Sequence, residues 1–133
     1  MAFIRAYAEV SGLMQKARPG FGWLAHLNPF SDATDVAATM TSAKMSGGLY
    51  IRSGLTVGRT DTTDIATNIL AANADMDIGD SFIVCVSNQS AQSLTLAGGV
   101  GVTASGNLVV LTLTSKFLVF TRTGPATMTM VAL

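Results

Sequence analysis

The sequence predicts a mainly β fold: a compact antiparallel β-sandwich or barrel with one short helix, preceded by an N-terminal arm that contains a short helix of its own. Three observations carry this prediction. From Gly79 onward the chain is a succession of short apolar or alternating runs, GDSFIVCVSNQS, SLTLAGG, VGVTASGN, LVVLTLTS, KFLVFTRTG and ATMTMVAL, separated by Gly, Asn and Ser. Apolar residues recur with the period of two that places alternate side chains on one sheet face, as in Phe82, Val84 and Val86, Leu94 and Leu96, Val100 and Val102, Phe117 and Val119, and Met128 and Met130. The intervening positions are Thr, Ser, Ala or further apolar residues where a free-standing domain would place Lys and Glu.

Taken in chain order, Phe3, Tyr7, Val10 and Met14 share one face at helical spacing, which predicts a short amphipathic helix over about residues 3–17. Arg18-Pro19-Gly20 ends it, because proline disfavours helical geometry in the preceding residue. FGWLAHLNPF follows, apolar and aromatic without a clean period, and reads as an arm that lies on something. Ser31-Asp32 offers a cap for a weak helix through about Thr41, and Gly47-Gly48 breaks whatever precedes it. LYIRS and LTVGR read as two short strands around Gly54. The stronger helix signal lies at about 62–74, with Asp61 or Thr62 as cap, Asp64 in the first turn and Ile65, Ile69 and Leu70 or Ala72 on one face. In LVVLTL and FLVF both faces are apolar, so those strands are expected to be covered on both sides. No repeat period implies a solenoid.

With 133 residues the chain has room for one domain and an arm, divided here as residues 1–53 and 54–133. Charged residues make up 12%, about half the usual share of roughly 25%, and the formal net charge is +0. Both properties suit a subunit built for assembly rather than a monomer that must stay dissolved. The balance is uneven along the chain. Residues 1–59 hold six bases against three acids, residues 61–80 hold five aspartates and no base, and the remainder holds only Lys116 and Arg122. No basic run with interleaved aromatics supports nucleic-acid binding. No apolar stretch reaches the roughly 18 residues of a membrane span, and Arg5 and Glu9 interrupt what would otherwise resemble a signal peptide. The single cysteine, Cys85, excludes an intrachain disulfide.

Residues able to carry chemistry are few and isolated. His26, the only histidine, has no second His or paired Cys beside it to make a metal site or triad. Cys85 lies between Val84 and Val86 in a strand, where a thiol packs as a small apolar group. Asp75, Asp77 and Asp80 lack the remaining ligand positions of a calcium loop, and AGGVGVTASGN lacks the Lys-Ser/Thr of a phosphate loop and leads into strands. No catalytic, cofactor-binding or metal-binding residue is therefore assigned, and the chain is read as a non-enzyme without cofactors. Phe3, Tyr7, Phe21, Trp23 and Phe30 are read instead as partner-interface anchors, since aromatic side chains dominate protein interfaces.

Over roughly residues 54–133, GLTVGRTDTTDIATNILAA, IGDSFIVCVSNQSAQSLTLAGGVGVTASGN and KFLVFTRTGPATMTMVAL together resemble a recurrent module of tailed-bacteriophage virion proteins. The shared order is a Thr/Asp-capped helix, a G-D-S-F strand, an N-x-S turn, a strand running into a Gly-rich corner and a closing strand pair. The resemblance implies a capsid decoration, or cement, protein located on the capsid surface after synthesis in the host cytoplasm. Its implied partners are the major capsid protein and copies of itself, most often as a homotrimer, with no nucleic acid or membrane. The alternative is a tail- or fibre-associated module that recognises a host glycan or receptor, but NQSAQ, AGG and SGN contain no aromatic residue to support it. Because the arm lies outside the recognised module, deletion of residues 1–45 is expected to leave a folded β domain.

Overall fold

The structure, a computed structural model, describes residues 27–133. Two sheets face each other across one apolar core. The larger sheet has the order β1 (Phe30–Asp32), β3 (Leu49–Arg52), β5 (Ser81–Asn88), β9 (Thr114–Gly124), β10 (Thr127–Ala132) and β7 (Val102–Gly106). The smaller has the order β2 (Thr39–Met40), β4 (Arg59–Thr63), β6 (Leu94–Ala97) and β8 (Val109–Val110). Two short helices, α1 (Ser42–Met45) and α2 (Ala66–Ala72), sit in the crossings. This is the mainly β, two-layered architecture expected from the alternating runs.

Strand direction differs from the expected antiparallel pattern. From β1 to β6 the chain passes back and forth between the sheets, and each return lands beside the previous strand in parallel: β1 on β3, β3 on β5, β2 on β4 and β4 on β6. Parallel neighbours require a crossover. Here the crossover is a strand of the opposite sheet. Successive larger-sheet strands begin at Phe30, Leu49 and Ser81, so the passes are unequal in length and leave no repeat period in the sequence. The second half includes the expected antiparallel pairs, β5 with β9, β9 with β10 and β6 with β8, while β7 joins β10 in parallel.

The boundary between arm and module moves accordingly. Residues 30–52 supply β1, β2, α1 and β3, with Met40, Met45 and Tyr50 buried in the common core, so this stretch belongs to the β unit. Ser31-Asp32 starts no helix. Asp32 Oδ1 instead accepts from Thr34 N at 3.0 Å and Thr34 Oγ1 at 2.6 Å, closing a turn after β1, and Thr39-Met40 then pair with Thr62-Thr63. The latter pairing also shortens the helix expected over 62–74 to Ala66–Ala72, because Thr62 and Thr63 are committed to β4. Ala66, Ile69 and Leu70 are its buried residues, whereas Ile65 and Ala72 lie exposed.

Polar residues fix the corners. Buried Asn88 donates to Gln92 O at 2.7 Å and Val110 O at 3.0 Å, while its Oδ1 accepts from Ser90 N and Oγ at 3.0 and 2.6 Å. All of its amide's hydrogen-bonding directions are engaged, as burial demands. In the AGG corner, Gly99 N donates to Thr63 Oγ1, and a Cβ at Gly99 would stand 2.5 Å from Thr63 O. This glycine is therefore explained by close backbone approach. Similarly, Asp80 Oδ2 accepts from Asp77 N at 2.9 Å, so the aspartate-rich segment forms the turn that leads into β5.

Candidate interaction face

Alternation along β5, β9 and β10 sends one set of side chains inward and the other away from the second sheet. The inward set, Val84, Val86, Leu118, Phe120, Met128 and Met130, is buried, with Phe82 stacked on Phe120 at 5.0 Å between ring centroids. Register aligns the outward set into rows across the strands. Ile83 stands opposite Val119, and Val119 opposite Val131. Leu49 stands opposite Cys85, Cys85 opposite Phe117, and Leu133 N donates to Phe117 O at 3.0 Å. Ser81, Thr121 and Thr129 form the next row, linked by a 2.7 Å Ser81–Thr121 hydroxyl contact.

These rows contain no Asp, Glu, Lys or Arg. Ile83 is 58% exposed, Phe117 56% and Leu133 69%, while Leu49, Cys85, Val119 and Val131 are half-buried. Isolated exposed apolar residues are ordinary, whereas contiguous apolar rows make a candidate interaction surface. Strand pairing brings together positions far apart in sequence, which is why the patch is not legible as a linear motif.

The cover expected on both faces of β9 is seen on one. Phe117 and Val119 point outward while Leu118 and Phe120 pack within, so among the described residues FLVF is covered on one face only. The same holds for LVVLTL: Val110 is buried, but Leu111 and Leu113 emerge on a turn at 58% and 72% exposure. Val100 likewise lies in a turn at 80% exposure and does not share the burial of Val102.

Of the aromatic anchors read from the sequence, Phe3, Tyr7, Phe21 and Trp23 lie outside the described residues, as do His26 and the helix expected over about 3–17. Phe30 is half-buried, stacked parallel on Tyr50 at 6.1 Å, with Lys44 Nζ 5.2 Å from its ring centre. It is thus packed against the core at the edge strand. Cys85 contributes to the outward face, and burial raises its thiol pKa, which opposes thiolate formation.

A buried ionic centre between the sheets was missed by the sequence reading. Arg52 and Asp61, on β3 and β4, are fully buried, with Arg52 Nε 2.6 Å from Asp61 Oδ2 and Nη2 3.0 Å from Oδ1. Tyr50 Oη donates to Asp61 Oδ2 at 3.0 Å, and Ala38 N donates to Asp61 Oδ1 at 2.9 Å. The remaining guanidinium donors go to Thr34 O at 2.6 Å and to Val36 O. Burial, followed by the charge and hydrogen bond of Asp61, pushes the Tyr50 hydroxyl pKa well above its ordinary value. Every strong donor here has a protein partner, and the arrangement fastens the β1–β2 loop to both sheets. Its only sequence signal was an Arg in LYIRS and an Asp before TTD, and neither spacing nor period connects the two.

Among the described residues no helix is long and apolar enough to cross a membrane. No family model, curated protein or solved structure matches this chain.

Proposed function

We propose that this chain is a structural virion protein that decorates and stabilises a tailed-bacteriophage capsid, and that it assembles with copies of itself, as a trimer, through the outer face of the larger sheet. The observation that carries the reading is the uncharged apolar surface formed by Leu49, Ile83, Cys85, Phe117, Val119, Val131 and Leu133. A partner for such a face must itself be poor in charge, because a desolvated Lys or Asp would find no counter-ion there. This chain, with only 12% charged residues, supplies a matching surface. The acidic turn Asp75–Asp80 adjoins the Ser81 end of β5, whereas Lys116 lies near the opposite end of the paired β9, so neighbouring copies in a ring can set unlike charges together. The resemblance of residues 54–133 to virion modules supplies the capsid as the setting, with the N-terminal aromatics as contacts to the shell.

A tail or fibre module that binds glycans would present aromatics in loops. The only exposed aromatic among the described residues is Phe117, on a strand, so this alternative has less support.

Light scattering of the purified protein and co-sedimentation with undecorated capsids test the two parts separately. A trimer that Phe117→Lys converts to a folded monomer, and that co-sediments with capsids, is the expected result. A wild-type protein that is monomeric at micromolar concentration overturns the assembly reading, and a trimer that ignores capsids overturns the virion reading.

A further inference from the structure

A groove of about 350 Å³ opens between α1, α2 and the start of β5. Its place follows from strand pairing: β3 meets β5 only from Cys85 onward, so among the described residues no strand pairs with Ser81–Val84 on the side away from β9. Met45 and Ile69 line it from the helices, Phe82 and Ile83 from the strand. Successive residues of a strand point to opposite faces. Phe82 therefore packs toward the core while Ile83 points outward, and the groove wraps the edge of the larger sheet to join the outer apolar face at Ile83.

The chemistry of the walls selects the occupant. Each polar residue there spends a side-chain donor on its own chain: Ser42 Oγ donates to Asp64 Oδ2 at 3.2 Å, Ser46 Oγ to Ala43 O at 2.9 Å and Asn73 Nδ2 to Ile69 O at 2.8 Å. Small polar ligands are oriented by a few placed polar groups, and here those groups are already engaged. Among the described residues no charged side chain lines the groove. Its remaining features are the Met45 thioether and the half-buried ring of Phe82. Both favour an aromatic side chain, through sulfur–ring contact and through offset or edge-to-face ring pairing.

Among the described residues the exposed aromatic is Phe117, and it takes no part in lining the groove of its own chain. A ring in the groove therefore comes from another molecule. We infer that the groove receives Phe117 of a second copy, the ring lying against Met45 and Phe82 while the outer apolar faces of the two copies meet at Ile83. The inference rests on the self-assembly part of the proposed function and names its contact; it does not involve the capsid. Because ring and groove are different parts of the surface, each copy both gives a ring and receives one, and the contact repeats from copy to copy until it closes. An aromatic seated in a desolvated pocket is the kind of side chain that carries most of an interface's binding energy.

Ser46 lines the groove and is exposed, so Ser46→Arg obstructs it without entering the core; Ala72→Arg, exposed likewise, serves if Ser46→Arg does not fold. Far-UV circular dichroism should be unchanged in the obstructed variant and in Phe117→Lys. In light scattering over a concentration series, each should raise the dissociation constant of self-association at least about thirtyfold, as for an aromatic hot spot. Mixed in equal amounts at a concentration where neither associates alone, the two should form one-to-one pairs, because the obstructed copy still supplies Phe117 and the Phe117→Lys copy still has an open groove. Self-association of the folded, obstructed variant at unaltered strength overturns the assignment, as does a mixture that gives no pairs. Either result leaves the assembly reading standing where the unaltered protein is a trimer, whereas an unaltered protein that is monomeric at micromolar concentration overturns both.

Discussion

The Arg52–Asp61 pair shows why a buried charge is better read as a constraint than as a source of stability. Taking both groups out of water opposes folding, and the pair is tolerated because Tyr50, Ala38, Thr34 and Val36 complete its hydrogen bonds. Removing one partner strands the other, so Arg52→Met should destabilise the protein by about 3–5 kcal/mol in urea unfolding. The double replacement Arg52→Met with Asp61→Leu should recover part of that loss. At the surface, Leu113 has φ +57° and 72% exposure, a conformation that costs a non-glycine residue about 1–2 kcal/mol. Leu113→Gly should therefore raise the melting temperature, the gain being reduced by the entropy that glycine loses on folding.

The carboxylates set the acid limit. Burial opposes ionisation of Asp32, but hydrogen bonds from Thr34 and the charges of Arg52 and Lys44 outweigh it, and its pKa is lowered from 3.8. Hydrogen bonding from Ser42 N, then from Asn68 and Ile65, likewise lowers Asp64 despite its partial desolvation. A carboxylate depressed on folding contributes its full stability above the unfolded pKa and loses it as pH falls through the lower folded value. Thermal stability should thus be level with respect to these groups above about pH 4 and decline below it. For Asp64→Asn the deficit relative to the unaltered protein should be largest at neutral pH and shrink toward pH 2, as melting curves across that range will show.

Among elements, α2 illustrates how pairing overrides a local signal. TDTTDIATNILAA contains good capping residues, yet Asp61, Thr62 and Thr63 enter β4 because the parallel ladder to β6 and β2 engages their backbone and the ionic centre claims Asp61. No side chain caps α2, whose N-cap is Ile65; Asp64 instead accepts from Ile65 N at 2.9 Å and from Ser42 N at 3.0 Å, tying the approach to α2 to α1, and Ala66 N donates to Val100 O at 2.8 Å. The same reasoning reverses the expected outcome of deleting residues 1–45. That deletion removes β1, β2 and α1 together with Met40 and Met45, each buried, and large buried side chains cost about 2–5 kcal/mol apiece when truncated. It should abolish cooperative melting. Deletion of residues 1–26 spares every described element and should preserve it, a contrast that calorimetry of the two truncated proteins will reveal.

For the molecule as a whole, the decisive feature is a sheet whose outer face carries two adjacent apolar rows that include exposed Ile83, Phe117 and Leu133. Under the proposed trimer, Phe117→Lys should leave the single chain folded, because Phe117 is exposed there, while removing the concentration dependence of the melting temperature that association confers. Light scattering should register the dissociation. Cys85 offers an independent measurement: being half-buried within the same face, its thiol should react more slowly with a disulfide reagent in the assembled protein than in the Phe117→Lys monomer.

Composition and period by themselves determined the mainly β class and the residues that share a strand face, such as Val84 with Val86, Leu94 with Leu96 and Met128 with Met130, because these depend on local alternation and on how much charge is available for a surface. The N-x-S turn named in the resemblance corresponds to Asn88 Oδ1 accepting from Ser90 N two residues on, whereas the bond from Asn88 to Val110 O joins segments far apart in the chain. Tertiary structure alone decided strand direction, which face of β9 is buried, and the meeting of Arg52 with Asp61. Each is a relation between segments that local sequence does not record: period two establishes that residues alternate, but only the neighbouring strands determine which set is covered.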